Sequence, residues 1–289
     1  TTIGTAQVPA NFWYFGWGTA GTNIPGMDFT GGAPVPNNGV ANMPNGFYES
    51  ITVQTDATKV LWYSNSHYVM DGTHTLMPGV TSRAGGKLTG AQGSANGSAT
   101  QGVVSFPFPG TADRFIMVST AGEDGANHGL LYTDIDMTLQ GNGPNPATPL
   151  GDIGVNLETN ITPGINTAEM QGVYSPNCDS IWIVTHDDGG DDFVAVLFTS
   201  AGPQAPVVSA NIGDVLTGNA VRGSLRISPD GTKLVMVSGF PGGLHIFDFN
   251  SSTGAITVPA TGFDLGTLDG ISFGYGLEWA ANSRYVYIG

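Results

Sequence analysis

Cysteine is almost absent: Cys178 is the only one in 289 residues. No disulfide can form within the chain, and no basic residue sits beside that thiol to activate it, so Cys178 reads as a structural turn residue. Basic residues are scarce as well, 8 Lys and Arg against 23 Asp and Glu, for a net charge of −15. Nucleic acids are held mainly by clustered Lys and Arg, so they are excluded as a partner. An acidic, lysine-poor surface instead suits extracellular or saline surroundings. No apolar run approaches the roughly 18 residues of a membrane span. The first residues show neither the charged nor the apolar region of a signal peptide, and the sequence begins without Met. The five histidines are scattered with no His-x-x-x-His spacing, which argues against zinc. Nucleophile signatures are missing too: there is no Gly-x-Ser-x-Gly and no Ser-x-Asp-x-Gly-x-x-Trp repeat.

What the sequence has is turns. With 44 Gly and 18 Pro but only 11% charged residues, it is a chain of many bends and few helices. The stretch from Gly223 to Val237 reads as a β-hairpin, with Leu225 and Ile227 alternating with polar neighbours ahead of Ser228-Pro229-Asp230-Gly231. The unit recurs at Ser175-Pro176-Asn177-Cys178 and at Ala280-Ala281-Asn282-Ser283, each followed by a β-branched or aromatic strand. Strand pairs returning every few tens of residues are the pattern of a propeller. The expected fold is therefore all-β, a β-propeller of four-stranded antiparallel blades, with about four full blades plus extra strands over a single domain of residues 1–289. Residues 19–46 and 81–100 read as long loops, and Trp13 lies on a lone aromatic strand. Because Tyr285 to Ile288 stops in mid-blade, the sequence is expected to be a fragment of a longer protein.

Several motifs in order carry a resemblance. Trp13-Tyr14-Phe15-Gly16 leads to Asp28-Phe29-Thr30-Gly31-Gly32-Ala33-Pro34-Val35, followed by Leu61-Trp62-Tyr63, His74 with Met77-Pro78, and Phe106-Pro107-Phe108-Pro109-Gly110. Then come Tyr132-Thr133-Asp134-Ile135-Asp136-Met137, Trp182-Ile183-Val184-Thr185-His186 and Tyr275-Gly276-Leu277-Glu278-Trp279. Along its length the chain resembles the propeller region of gliding-motility-associated and adhesin-like surface proteins that Bacteroidota export by type IX secretion. That resemblance implies a secreted or surface-displayed, non-catalytic module. Its role would be attachment to a protein or glycan partner, or to further copies in an appendage. Two other readings stay open: a glycan-active hydrolase or lyase, and a structural component of a virion or extracellular filament.

Candidate side chains are few. His186-Asp187-Asp188-Gly189-Gly190-Asp191-Asp192 offers four carboxylates around a bend, a candidate calcium site formed by Asp187, Asp188, Asp191 and Asp192. It lacks the ligand spacing of an EF-hand, so a solvated hairpin tip is the competing reading. Glu123-Asp124-Gly125 with His128 is a thinner version. No other cofactor is expected. For the enzyme reading, Glu49, Glu169 and Glu278 each open the first strand of a blade and could meet in a central channel; the bland alternative is that each bonds nearby backbone. Trp17, Tyr68 and Phe240 could stack on sugars if exposed.

Overall fold

The turn Ser228-Pro229-Asp230-Gly231 shows how the chain makes its strands. Ser228 Oγ accepts the N–H groups of Thr232 and Lys233, while Asp230 Oδ1 accepts the hydroxyls of Ser228 (2.6 Å) and Thr232 (2.8 Å). Gly231 turns the backbone at φ +69° and donates its N–H to Ser228 O. In the two related turns the same left-handed position is filled by Cys178 (φ +55°) and Ser283 (φ +58°). Their N–H groups likewise reach back three residues, to Ser175 O and Ala280 O. The three turns are one device with three different residues at its tightest point.

This computed structural model describes residues 12–15, 23–43, 50–89, 99–120, 128–164, 166–239, 243–259 and 275–289. The protein is all-β, built from antiparallel sheets. Sheet 1 holds β1 (Phe12–Tyr14), β2 (Asn23–Asp28) and β3 (Val35–Asn42). Sheet 2 holds β4 (Thr52–Thr55), β5 (Val60–Ser64) and β6 (Val69–Asp71), followed by a single helical turn, α1 (Pro78–Thr81). Sheet 3 runs β7 (Val103–Pro107), β8 (Arg114–Ser119), β9 (Leu131–Asp136), β10 (Asp152–Ile153), with β11 (Thr159–Asn160) also on β9. Sheet 4 runs β12 (Asn166–Tyr174), β13 (Ile181–Asp187), β14 (Phe193–Thr199), β15 (Gly202–Pro203), with β16 (Val207–Ser209) also on β14. Sheet 5 runs β17 (Gly223–Ile227), β18 (Lys233–Ser238), β19 (Leu244–Phe249), β20 (Ile256–Thr257), and sheet 6 pairs β21 (Leu277–Trp279) with β22 (Val286–Ile288).

Packing groups the chain into two compact units. One comprises Thr1–Ser98, Gly102–Ser119 and Leu131–Thr159; the other comprises Ala99–Gln101, Thr120–Leu130 and Asn160–Gly289. In the first unit, β1 lies against β4 and β4 against β7. Tyr14, Ile24, Tyr63 and Met70 form one core there, and Trp62, Val69, Met77, Phe115 and Ile135 form another. In the second unit β12 lies against β17 and β17 against β21, so each sheet presents its first strand to the first strand of the next.

Strand β18 explains the stacking. Its residues alternate in direction, as every strand must. Leu234 and Met236 join Trp182, Val184, Phe193 and Leu225 in a core on one face. Val235 and Val237 join Leu244 and Leu277 on the other. A strand apolar on both faces is stable only between two neighbours.

One expectation about loops is corrected. The stretch 19–46 contains the β2–β3 hairpin, which pairs onto β1, so Trp13 belongs to a three-stranded sheet. Pro25 and Gly26 are tolerated because the register shifts between Ile24 and Pro25, where a missing N–H breaks no ladder. The described part of 81–100 holds the end of α1 and a 3-10 turn at Ala84–Gly86.

Candidate functional site

In the second unit, β12 carries an irregularity on which the candidate site is built. Asn166 pairs with Asp187 and Met170 with Thr185, so Thr167, Ala168 and Glu169 together stand opposite His186 alone. Such a bulge bends a strand and re-aims its side chains. Its carbonyls are all accounted for. Thr167 O accepts the Thr120 hydroxyl (2.7 Å) and Glu169 O the Thr185 hydroxyl (2.8 Å). Ala168 O accepts the N–H of Gln101 (3.0 Å) and the Thr100 hydroxyl (3.1 Å).

The Glu169 side chain is different. It is 0% exposed, and neither carboxyl oxygen has a hydrogen-bond partner. Burial pushes its pKa well above the ordinary carboxylate range, with the charge of Arg226 pulling the other way. The neutral acid is therefore the favoured form in the folded protein. Gly223, at the start of β17, makes room for it: a Cβ there would stand 2.9 Å from Glu169 Oε1 and 1.9 Å from Val237 O.

Side chains also complete the edge of β17. Leu225 donates its N–H to Gln101 Oε1 (2.7 Å), while Gln101 Nε2 donates to Leu225 O (3.2 Å). Ile227 N–H is taken by Gln171 Oε1, and Trp279 Nε1 donates to Arg226 O (3.1 Å). The guanidinium of Arg226 donates from Nη1 to Leu225 O (3.1 Å) and places Nε 3.4 Å from Oε2 of the exposed Glu278. Arg226 thus relates a buried acid on β12 to an exposed carboxylate on β21.

His186 is fully buried beside the bulge, its ring edge-on to Phe193. Its Nδ1 lies 2.7 Å from Asp187 O, an acceptor only, so Nδ1 carries the proton. Burial lowers its pKa and leaves Nε2 bare against Gly213, where a Cβ would come within 2.4 Å. No ligand fits there, and the ring is a core element.

The other sequence candidates fall elsewhere. Of the three glutamates expected in a channel, Glu49 lies outside the described residues. Glu169 is buried within β12 and Glu278 is exposed on β21. The calcium reading of Asp187, Asp188, Asp191 and Asp192 is corrected. Asp187 Oδ1 accepts the N–H of Asp192 and Asp192 Oδ1 that of Asn211, so these carboxylates hold the turn itself. Asp188 titrates above its usual range through burial and the neighbouring Asp187 charge. Among the described residues no group of three His, Cys, Asp or Glu side chains is placed to hold a metal ion. Glu123, Asp124, Trp17 and Phe240 lie outside the described residues, and Tyr68 is buried. Arg226, Gly223 and Gln101 went unseen in the sequence, although Arg226 between Leu225 and Ile227 carried the signal of a charge within an apolar strand.

No protein-family model and no curated protein matches the chain. Solved structures do resemble it at low identity. A protein from Bacteroides uniformis provisionally named a 6-phosphogluconolactonase has 13% identity and a TM-score of 0.49 over 96% of this chain and 73% of its own. One from Bacteroides fragilis with the same provisional name has 12% identity and a TM-score of 0.40 over 98% and 89%. A Lactobacillus plantarum protein has 9% identity and a TM-score of 0.48 over 96% and 74%. The expectation of a non-catalytic attachment module is withdrawn, because the second unit holds a fully buried carboxyl without a hydrogen-bond partner, a perturbed group of the kind found at functional sites.

Proposed function

We propose that the chain is a β-propeller hydrolase acting on a C–O bond, with Glu169 as its proton donor. The propeller is supported by the five-stranded sheet 4, the four-stranded sheet 5 and the succession β12, β17, β21 of first strands in the second unit. The observation that carries the activity is Glu169 itself. An unpartnered carboxyl, shut away from water and biased to its neutral form, is the condition in which enzymes hold a general acid. Glu169 gives its proton to the oxygen that departs as the C–O bond breaks. Water supplies hydroxide to the carbon, and its remaining proton restores the acid by way of solvent. Arg226, whose charge acts on Glu169, opposes negative charge building up on the departing oxygen.

In the free protein the carboxyl is closed off, so this reading requires substrate to open a path at Gly223. Turnover of a panel of aryl glycosides and sugar lactones, 6-phosphogluconolactone included, tests the proposal. Glu169→Gln is expected to lower kcat by about 10²-fold or more on the substrate that is turned over. Full activity in that variant, or no turnover across the panel, would overturn it. Secretion to the cell surface is a separate proposal, supported by the acidic, lysine-poor composition and tested by fractionating the source cells.

A further inference from the structure

Gln101 is bonded to both strands that meet at the acid. Its backbone N–H donates to Ala168 O (3.0 Å), the carbonyl next to Glu169 in the bulge of β12. Its side chain spans the N–H and the C=O of Leu225 on β17, two residues past Gly223. The N–H of Leu225 can only donate and its C=O only accept, so a single orientation of the amide satisfies both. Both of these bonds are buried, out of competition with bulk water.

Arg226 is tied to the same point. Leu225 O accepts Arg226 Nη1 (3.1 Å) together with Gln101 Nε2 (3.2 Å), so the cation that acts on Glu169 and the amide that fixes β17 share one carbonyl. The Thr100 hydroxyl adds a further bond to Ala168 O (3.1 Å). Residues 100 and 101 thus pin the bulge on one side and β17 on the other. Gln171 gives a contrast: it also completes the edge of β17, by accepting the N–H of Ile227, but that bond involves neither the bulge nor Leu225.

We infer that Gln101 is a positioning residue for the acid: through Ala168 and Leu225 it fixes the separation of Glu169 from Arg226 and keeps water out from between β12 and β17. Its purpose rests on the hydrolase reading. Without its hold the strands part and water reaches the carboxyl, which favours the ionised form. The other titratable or charged groups nearby are Arg222 beside Gly223, His186 across from the bulge and Glu278 beyond Arg226, and Gln101 bonds to none of them.

The test is carbon NMR of the carboxyl itself. The chain has five glutamates, so protein labelled with carbon-13 at the glutamate carboxyl gives five resonances, and the one missing from Glu169→Gln belongs to Glu169. Its titration midpoint is expected to fall by about one pH unit or more in Gln101→Met, which keeps the bulk of the side chain and loses both bonds to Leu225. Gln101→Asn, one methylene too short to reach both groups, is expected to act the same way and serves if the methionine variant does not fold. Gln171→Met loses a bond on the same edge and is expected to leave the midpoint in place, which separates positioning of the acid from general support of β17. An unchanged midpoint in the Gln101 variants, or an equal fall in Gln171→Met, would overturn the inference. No substrate enters the measurement, so its failure is distinct from failure of the hydrolase reading: an inactive protein can show the shift, and an active one can lack it. Where a substrate is turned over, the alkaline limb of the kcat profile moves down by the same interval.

Discussion

At Glu169 the chain accepts a cost. A buried polar group without a partner forfeits about 1–3 kcal/mol, and a folded-state pKa far above the unfolded value makes the loss depend on pH. The unfolded carboxyl ionises near 4.3, whereas the folded one keeps its proton to much higher pH. Between those two values the native state binds more protons, so the Glu169 contribution is intact below about pH 4.3 and is lost as pH rises toward the folded pKa. Urea midpoints measured from pH 4 to 8 should show the parent falling relative to Glu169→Gln, by at most about 1.4 kcal/mol per pH unit. A flat difference between the two would mean that the carboxyl is ionised in the fold. The sequence announced part of this residue, since a Glu between Ala168 and Met170 in a strand must be aimed somewhere unusual. It could not show that Gly223, far along the chain, leaves the space for it.

Among the elements, the hairpins were the most legible, because Ser-Pro-Asp-Gly and its relatives fix both a turn and the register of the strands around it. The β2–β3 hairpin was hidden by Pro25, Gly26 and Pro36, which weigh against a strand unless a shift in register accommodates them. The bulge in β12 was hidden for another reason: only the pairing with β13 reveals the extra residues. The three related turns also allow a direct comparison. Cys178 occupies the left-handed position that Gly231 fills without strain. Cys178→Gly is therefore expected to stabilise the protein by about 0.5–1 kcal/mol, part of the 1–2 kcal/mol cost of that conformation being returned as unfolded-state entropy. Denaturant titration under reducing conditions would register it, and a destabilised variant would show that the thiol contributes contacts of its own.

For the whole molecule, charge is the dominant global property. With 23 acidic and 8 basic residues, the folded chain repels itself, and salt screens that repulsion. Raising NaCl from 20 to 500 mM should lift the thermal midpoint by roughly 2–4 °C, the shift that about 1 kcal/mol produces in a domain of this size. A midpoint that falls with salt would mean that ion pairs such as Arg114 with the buried Asp134 outweigh the net repulsion. The amide of Gln101 has a consequence of another kind. It grips Leu225 across 124 residues of intervening chain. Closing so long a loop is slow, and its entropy must be lost before the contact returns anything. The edge of β17 is thus completed late in folding, after β13, β14, β18 and β19 have formed from their near neighbours. Without Gln101 and Gln171 the N–H groups of Leu225 and Ile227 would be open donors on an edge strand, the kind of edge at which strands of separate chains pair.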